Sequence, residues 1–459
     1  MNAQRILGAI LGTHIDLCEA QRAAAIVVDP AGEVLASWGR DAGPDTAFRI
    51  ASMTKSFTAA AVLSLRDEGA VDLDTPVANY ATELVGVVGP GTDPTPITLR
   101  HLLTMGSGLA TDDPWADRHL DATDEELDRW IAGGLRFSFP TGTAFEYSNL
   151  GYAIVGRVVH CVTGKRLQEH VRERLLSPLG MARTGWSIAE LPNGSDVTQG
   201  MHLIDGVQSP TRPLGDGVVA PMGGLWSCAS DLGRWVAFLS SAFTSTPQPG
   251  QLRASSRREM QQLQRETRVR RLLAADGSRR IAEGGYAMGL TTYSDERLGR
   301  VVTHSGGLPG YGSNMRWVPG GVGVASLANV TYAPMWHASA AVLDSLGVAG
   351  LISAPTMEAS DDVRIAAERL VDWFMSNNDP STSDLFADNV FDDVPADARR
   401  SQAAARIGST ETRAATVIAV EAAGDAAASV TFVVGSTAHR VRFELAPLAG
   451  VAIQKYDWL

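Results

Sequence analysis

Lysine is nearly absent from this chain of 459 residues: Lys55, Lys165 and Lys455 stand against thirty-six arginines. A guanidinium keeps its proton in a protein, whereas a desolvated amine can lose it and act as a base. A lysine kept beside other polar residues is therefore informative. Cysteine is also scarce: Cys18, Cys161 and Cys228 are far apart and form no Cys-x-x-Cys pair, which leaves neither a disulfide framework nor a cysteine zinc site. No apolar run approaches the length of a membrane span, so no membrane partner is expected. Uninterrupted basic stretches are missing too. The arginine-rich segment 253–280 carries Glu259 and Glu266, and the net charge is -12, which argues against nucleic acid. The first seventeen residues hold one arginine, and His14 and Asp16 interrupt their apolar stretch. This is poor material for a signal peptide, so a cytoplasmic location is expected.

What is present points to two domains. With 45% hydrophobic residues the chain can bury a large core and exceeds the usual size of one domain. Ala23–Asp29 and Glu33–Trp38, joined by Pro30-Ala31-Gly32, read as a β-hairpin. Met53–Asp67 has helical periodicity with Gly69 as its stop, so Ser52 opens a helix. From Thr98 to Leu239 the pattern is helical: Thr98 and Thr123 read as caps, Asn149–Val162 as a helix ending near Gly164, and Ser230 as the cap of Asp231–Leu239. Tyr286–Tyr293, Arg300–His304, Ser313–Val318 and Val322–Asn329 read as an antiparallel meander, and Pro334–Leu346 as a closing helix. The expectation is an α/β sandwich over residues 1–350, an antiparallel sheet with flanking helices and an all-helical insert. A linker follows at 351–362, then a small α+β domain over 363–459. That second domain is read as a helix, Val363–Met375, a polar turn at Asn377–Asp384, and strands near Thr416–Val420, Ala428–Val434, Arg440–Leu445 and Val451–Tyr456.

Three motifs could carry chemistry. Ser52-Met53-Thr54-Lys55 at a helix start places the amine over the hydroxyl, because side chains three apart share a helix face. Free N–H groups at that helix end let the Ser52 amide help hold an oxyanion. In Tyr147-Ser148-Asn149 a phenol and an amide can share one side of a loop, the phenol relaying protons and the amide orienting the lysine and a substrate carbonyl. His304-Ser305-Gly306-Gly307 closes a strand with glycines, which are costly there unless something approaches the backbone closely. That something is a substrate, with the Gly307 N–H as a second oxyanion donor. By composition the three motifs arise together in this order roughly one time in fifty.

At this point the chain resembles the serine β-lactamase-like family, the group of class C β-lactamases, D-alanyl-D-alanine carboxypeptidases, D-aminopeptidases and related esterases. The resemblance covers roughly residues 20 to 350. It extends to Phe48–Lys55, Ile97–Leu109, Ser177–Met181 and Gly223–Ser227. It implies that Ser52 is the acylated nucleophile, that Lys55 and Tyr147 share the general-base work, and that Asn149, His304, Ser305, Gly306 and Gly307 bind substrate. It departs at the third motif, where His304 replaces the lysine of Lys-Thr-Gly. Histidine is a weaker fixed cation at neutral pH, which weakens the case for a substrate carboxylate. The expected activity is cleavage of a small-molecule ester, amide or D-peptide, most simply by an esterase or D-amino-acid amidase; transacylase, β-lactamase, DD-carboxypeptidase and non-turnover acyl-binding alternatives stay open. No metal or cofactor is indicated. The acidic stretch Thr111–Pro114, with Asp117 and Asp121, lacks calcium-loop spacing and reads as a solvated loop, and Trp226 and Trp235 read as core. The last domain resembles the helix-and-curved-sheet fold of the nuclear transport factor type, with packing or dimerisation into a homo-oligomer as its expected role and, as the alternative, a place at the active-site mouth that limits substrate size.

Overall fold

A computed structural model describes residues 2–245, 250, 252–267, 270–273, 279–352, 359–376, 384–408, 414–448 and 450–459. The chain divides into two compact units, Met1–Pro355 and Thr356–Leu459.

In the first unit, helix α1 (Ala3–Cys18) precedes the hairpin β1 (Ala23–Val28) and β2 (Val34–Arg40). Helix α2 (Thr54–Asp67) follows a single 3-10 turn at Ala51–Met53. Then come α3 (Leu99–Leu103), α4 (Asp124–Ala132), α5 (Asn149–Thr163) and α6 (Ala229–Ser240). The chain returns to the sheet as β3 (Arg265–Glu266), β4 (Arg279–Tyr286), β5 (Thr291–Asp295), β6 (Gly299–Leu308), β7 (Tyr311–Trp317) and β8 (Gly323–Ala328), and closes with α7 (Met335–Val348). The antiparallel order is β2-β1-β8-β7-β6-β5-β4-β3, with Arg270–Leu273 pairing the other half of β4.

The apolar run of β1 is buried on both faces, which is why it shows no polar alternation. Ala23, Ala25 and Val27 belong to the core shared with α1 and α7, while Ala24, Ile26 and Val28 belong to the core built on α2, α5 and α6. Helix α2 is buried from Thr54 through Leu65, and its polar side chains find internal partners. Thr58 Oγ1 donates to the Pro221 carbonyl at 2.7 Å and Ser56 Oγ to the Met53 carbonyl at 2.8 Å, as buried hydroxyls require.

Several expectations need correction. The run 286–293 is not one strand but the ends of β4 and β5 around a turn in which Gly289 has φ 67°. Helix α6 starts at Ala229 after Cys228, so Ser230 lies inside it rather than capping it. The insert is not all-helical, because Met201–Ile204 and Val207–Pro210 form a two-stranded hairpin within it.

In the second unit, α8 (Asp361–Met375) starts inside the stretch read as a linker, capped by Ser360, whose side chain accepts from the Val363 N–H. Helix α9 (Ala396–Ile407) was not anticipated. A meander of β9 (Ala415–Gly424), β10 (Ala427–Val434), β11 (Thr437–Leu445) and β12 (Ile453–Trp458) completes the unit. Most of the expected polar turn, 377–383, and the linker residues 353–358 lie outside the described residues.

One contact fixes the position of the 3-10 turn against the sheet. A Cβ on Gly306 of β6 would lie 2.2 Å from the Ile50 carbonyl oxygen and 2.3 Å from Ser313 Oγ, and Ser313 Oγ itself donates to that carbonyl at 2.8 Å. Gly306→Ala should therefore push the turn and strand apart and cost about 1–3 kcal/mol of stability. A denaturant titration reads this, and an unchanged midpoint would refute the close approach.

Candidate active site

Ser52 lies in the 3-10 turn immediately before α2, buried but for a 9% exposed face. Ala51 before it adopts φ 51°, a left-handed conformation costing about 1–2 kcal/mol for a residue with a Cβ, held in place by the Ile50 N–H donating to the Leu225 carbonyl at 3.0 Å. Lys55, one turn on, is fully buried. Its Nζ is 3.0 Å from Ser52 Oγ and donates to Asn149 Oδ1 at 2.6 Å and to the Met222 carbonyl at 2.8 Å. Burial brings the Lys55 pKa down to about 8, against the charges of Asp113, Asp117 and Asp112, which raise it. Its ammonium form thus gives up a proton close to neutrality.

Tyr147 borders the same space, with its ring centroid 4.9 Å from Lys55 Nζ. Burial pushes its pKa well above the ordinary tyrosine value, reinforced by the Asp113 charge and opposed by a hydrogen bond with Ser52. Tyr147 is therefore a neutral phenol. Asn149 is the first residue of α5, and this helix start explains why Tyr147 and Asn149 flank Lys55 together.

Strand β6 supplies the opposite wall. It pairs with β5 only as far as Thr303, so residues 304–308 are paired on the β7 side alone and leave an open edge toward the cavity. The cavity of about 630 Å³ is lined by Ser52, Tyr147, His304, Ser305, Gly306 and Gly307 among others. All eight residues expected from the sequence thus converge: six line the cavity, Lys55 is buried behind Ser52, and Asn149 stands behind Lys55. His304 differs from expectation in its surroundings. Its Nδ1 is 2.7 Å from the Ser305 carbonyl, which only accepts, so Nδ1 carries a proton; Nε2 is 3.0 Å from the Tyr286 hydroxyl. The ring is 5% exposed.

The acidic stretch read as a solvated loop is in fact part of the site. Asp112 Oδ1 and Oδ2 accept from the Asn149 and Leu150 backbone N–H groups, each at 2.7 Å, and Asp113 Oδ1 accepts from Asn149 Nδ2 at 2.6 Å. Asp117 is 3% exposed and accepts from the Tyr332 hydroxyl at 2.7 Å, with its pKa raised to about 6 by burial. The expectation failed because these acids serve the start of a helix far along the chain. The one available signal was Asp112-Asp113-Pro114, an acid pair with proline at a helix start, here that of Asp113–Ala116. Tyr286, Tyr332 and Arg316 also line the cavity without having been singled out. Trp235 is core, stacked on Phe57 at 4.0 Å. Among the described residues, no group of three or more His, Cys, Asp or Glu side chains is arranged to hold a metal ion.

Known proteins resemble this chain in sequence and in fold. The family model described as Beta-lactamase matches residues 16–367. Esterase EstB of Burkholderia gladioli is 32% identical over 196 residues, covering 39% of this chain and 49% of that protein. The D-alanyl-D-alanine-carboxypeptidase/endopeptidase AmpH of Escherichia coli K12 is 29% identical over 204 residues, covering 43% and 50%. The chain thus spans about half the length of these relatives. In fold it is similar to the octameric penicillin-binding protein homologue from Pyrococcus abyssi, with a TM-score of 0.61, 20% identity and 96% of each chain covered.

With only three lysines, the protonation of Lys55 is directly observable. In protein labelled at lysine Cε, one resonance should titrate with a midpoint near 8 and vanish in Lys55→Arg. Three midpoints all above 10 would contradict the desolvated amine.

Proposed function

The chain belongs to the Beta-lactamase family, and on that footing we propose that it is a serine hydrolase that opens an ester or amide bond through an acyl-enzyme on Ser52. One observation carries this reading: the three oxygen atoms around Lys55 Nζ among the described residues. A neutral amine has two N–H bonds and one lone pair. Asn149 Oδ1 and the Met222 carbonyl can only accept, so they take both N–H bonds. The lone pair then faces Ser52 Oγ, 3.0 Å away. Lys55 takes the hydroxyl proton as Oγ bonds to the substrate carbonyl carbon, and the backbone N–H groups of Ser52 and Gly307 hold the oxyanion. Tyr147, a phenol at working pH, passes a proton to the departing oxygen or nitrogen and takes one back from the Lys55 ammonium, so amine and phenol are both restored in the acyl-enzyme. Water attacks the acyl-enzyme by the reverse sequence, releasing the acid and restoring the Ser52 hydroxyl. The family includes relatives named as an esterase and a DD-carboxypeptidase, consistent with either bond type.

The substrate class has one specific indicator. His304 has a carbonyl and a phenol on its two ring nitrogens, so both are already engaged and neither is left to bind a substrate carboxylate. Arg316, on β7 and lining the same cavity, is better placed. It is 4% exposed, donates to the Tyr293 hydroxyl, and has no carboxylate within ion-pair distance among the described residues. A buried guanidinium without a carboxylate partner favours an anionic ligand, which supports an acyl or leaving group bearing a carboxylate.

Incubation with p-nitrophenyl esters, D-amino-acid amides and a chromogenic cephalosporin, followed by intact-mass measurement, tests the mechanism. An acyl adduct and turnover are expected in the wild type, and neither in Ser52→Ala. Lys55→Arg should abolish turnover, since the removable proton is lost; near-normal rates in that variant would exclude Lys55 as the base.

For the carboxylate, p-nitrophenyl acetate and p-nitrophenyl hemisuccinate are the paired probes. Arg316→Met should lower kcat/KM for the hemisuccinate roughly 10–100-fold, the loss of a charged hydrogen bond, with a far smaller loss on the acetate. Equal losses on both esters would remove Arg316 from substrate recognition.

A further inference from the structure

Helix α5 begins between two adjacent carboxylates that do different things. Asp112 takes the backbone N–H groups of Asn149 and Leu150, an ordinary way to satisfy a helix N-terminus. Asp113 instead takes the side chain of Asn149: its Oδ1 is 2.6 Å from Nδ2. The two ends of an asparagine amide are nearly alike in shape but opposite in hydrogen bonding. Whichever end faces Asp113, the other faces Lys55. A carboxylate only accepts, so Nδ2 must turn to Asp113 and Oδ1 to Lys55, where the separation is 2.6 Å.

The consequence reaches Ser52. With Oδ1 toward the amine, Asn149 consumes an N–H of Lys55. Were the amide reversed, its NH2 group would donate to the amine's lone pair, and the base would be occupied before it met the hydroxyl. Asn149 cannot choose between the two orientations by itself, and the Met222 carbonyl, the other fixed acceptor at Nζ, lies on the backbone and is indifferent to it.

We propose that Asp113 is a positioning residue, which fixes the orientation of the Asn149 amide and thereby aims the Lys55 lone pair at Ser52. The inference rests on the reading of Lys55 as the base. Asp113 lines the cavity and is reached by solvent, so it can be replaced without opening a core void. Its charge has a second, separable effect: it is the foremost of the three carboxylates that raise the Lys55 pKa against burial. Orientation needs only an acceptor, whereas the pKa effect needs the charge.

Three variants separate the two. Asp113→Ala removes acceptor and charge, and kcat should fall roughly 10–100-fold with KM little changed. Asp113→Asn keeps an acceptor oxygen and loses the charge; kcat on the plateau should fall much less, while the midpoint of the acid limb moves to lower pH. Asp113→Glu should recover most of both. Wild-type kcat in Asp113→Ala would overturn the proposal, as would a Glu variant as impaired as the Ala variant. Should Asp113→Ala fail to fold, Asp113→Leu, of similar size and without an acceptor, takes its place, and a kcat equal to that of Asp113→Asn would overturn the proposal; the lysine Cε titration, which reads Lys55 without any substrate, checks the charge effect separately, with a midpoint in Asp113→Asn below the wild-type value. If the wild-type protein turns over none of the esters, the serine-hydrolase reading fails, yet that same titration still tests the link between Asp113 and Lys55.

Discussion

The Lys55 amine is buried completely, and among the described residues no carboxylate lies within hydrogen-bond reach of it. The rest of the site follows from this constraint. Its neighbours are a hydroxyl, an amide oxygen and a backbone carbonyl, which solvate an ammonium poorly and suit a neutral amine well. The three aspartates act from further away, Asp113 also through the Asn149 side chain, so they moderate the loss of charge without an ion pair to Lys55 among the described residues. Had one of them been in contact, the lysine would have remained a cation and could not have served as a base.

The fold provides the rigidity that this arrangement needs. Ser52 is held at the end of a strained turn, and Gly306 lets strand β6 press against that turn's backbone. Lys55 is held by a helix buried over most of its length, and Asn149 by the first turn of another. Each chemical group thus sits at the terminus or edge of a regular element, where backbone groups are free and side-chain direction is fixed by packing on one side. The open edge of β6 beyond Thr303 leaves space for a substrate to lie against the strand.

Much of this was legible in the sequence where the relevant geometry is local. Ser52 and Lys55 are three residues apart, Tyr147 and Asn149 two apart, and the glycines after His304 are conspicuous within a strand. The hairpin of β1 and β2 and the helix α2 were legible for the same reason: turn residues and periodicity are short-range signals. Asp113 was not, because its role is set by residue 149, and nothing in its own neighbourhood records that contact. Helix α1 escaped notice because Gly8 and Gly12 interrupt it and no glycine stops it; its buried face, Ile6, Leu7, Leu11 and Ile15, emerges only against the sheet. Helix α9 buries only Ala403 and Ile407, too little apolar surface to leave a stripe. In the insert, a short hairpin with half-buried and exposed residues looked no different from loop.

The central claim is that a neutral Lys55 activates Ser52, and covalent labelling by a fluorophosphonate at increasing pH tests it most directly. The rate of Ser52 modification should rise about tenfold per pH unit toward pH 8 and level off above it, in step with the loss of the Lys55 proton. A rate that is flat between about pH 6 and 9, or modification at a residue other than Ser52, would contradict it.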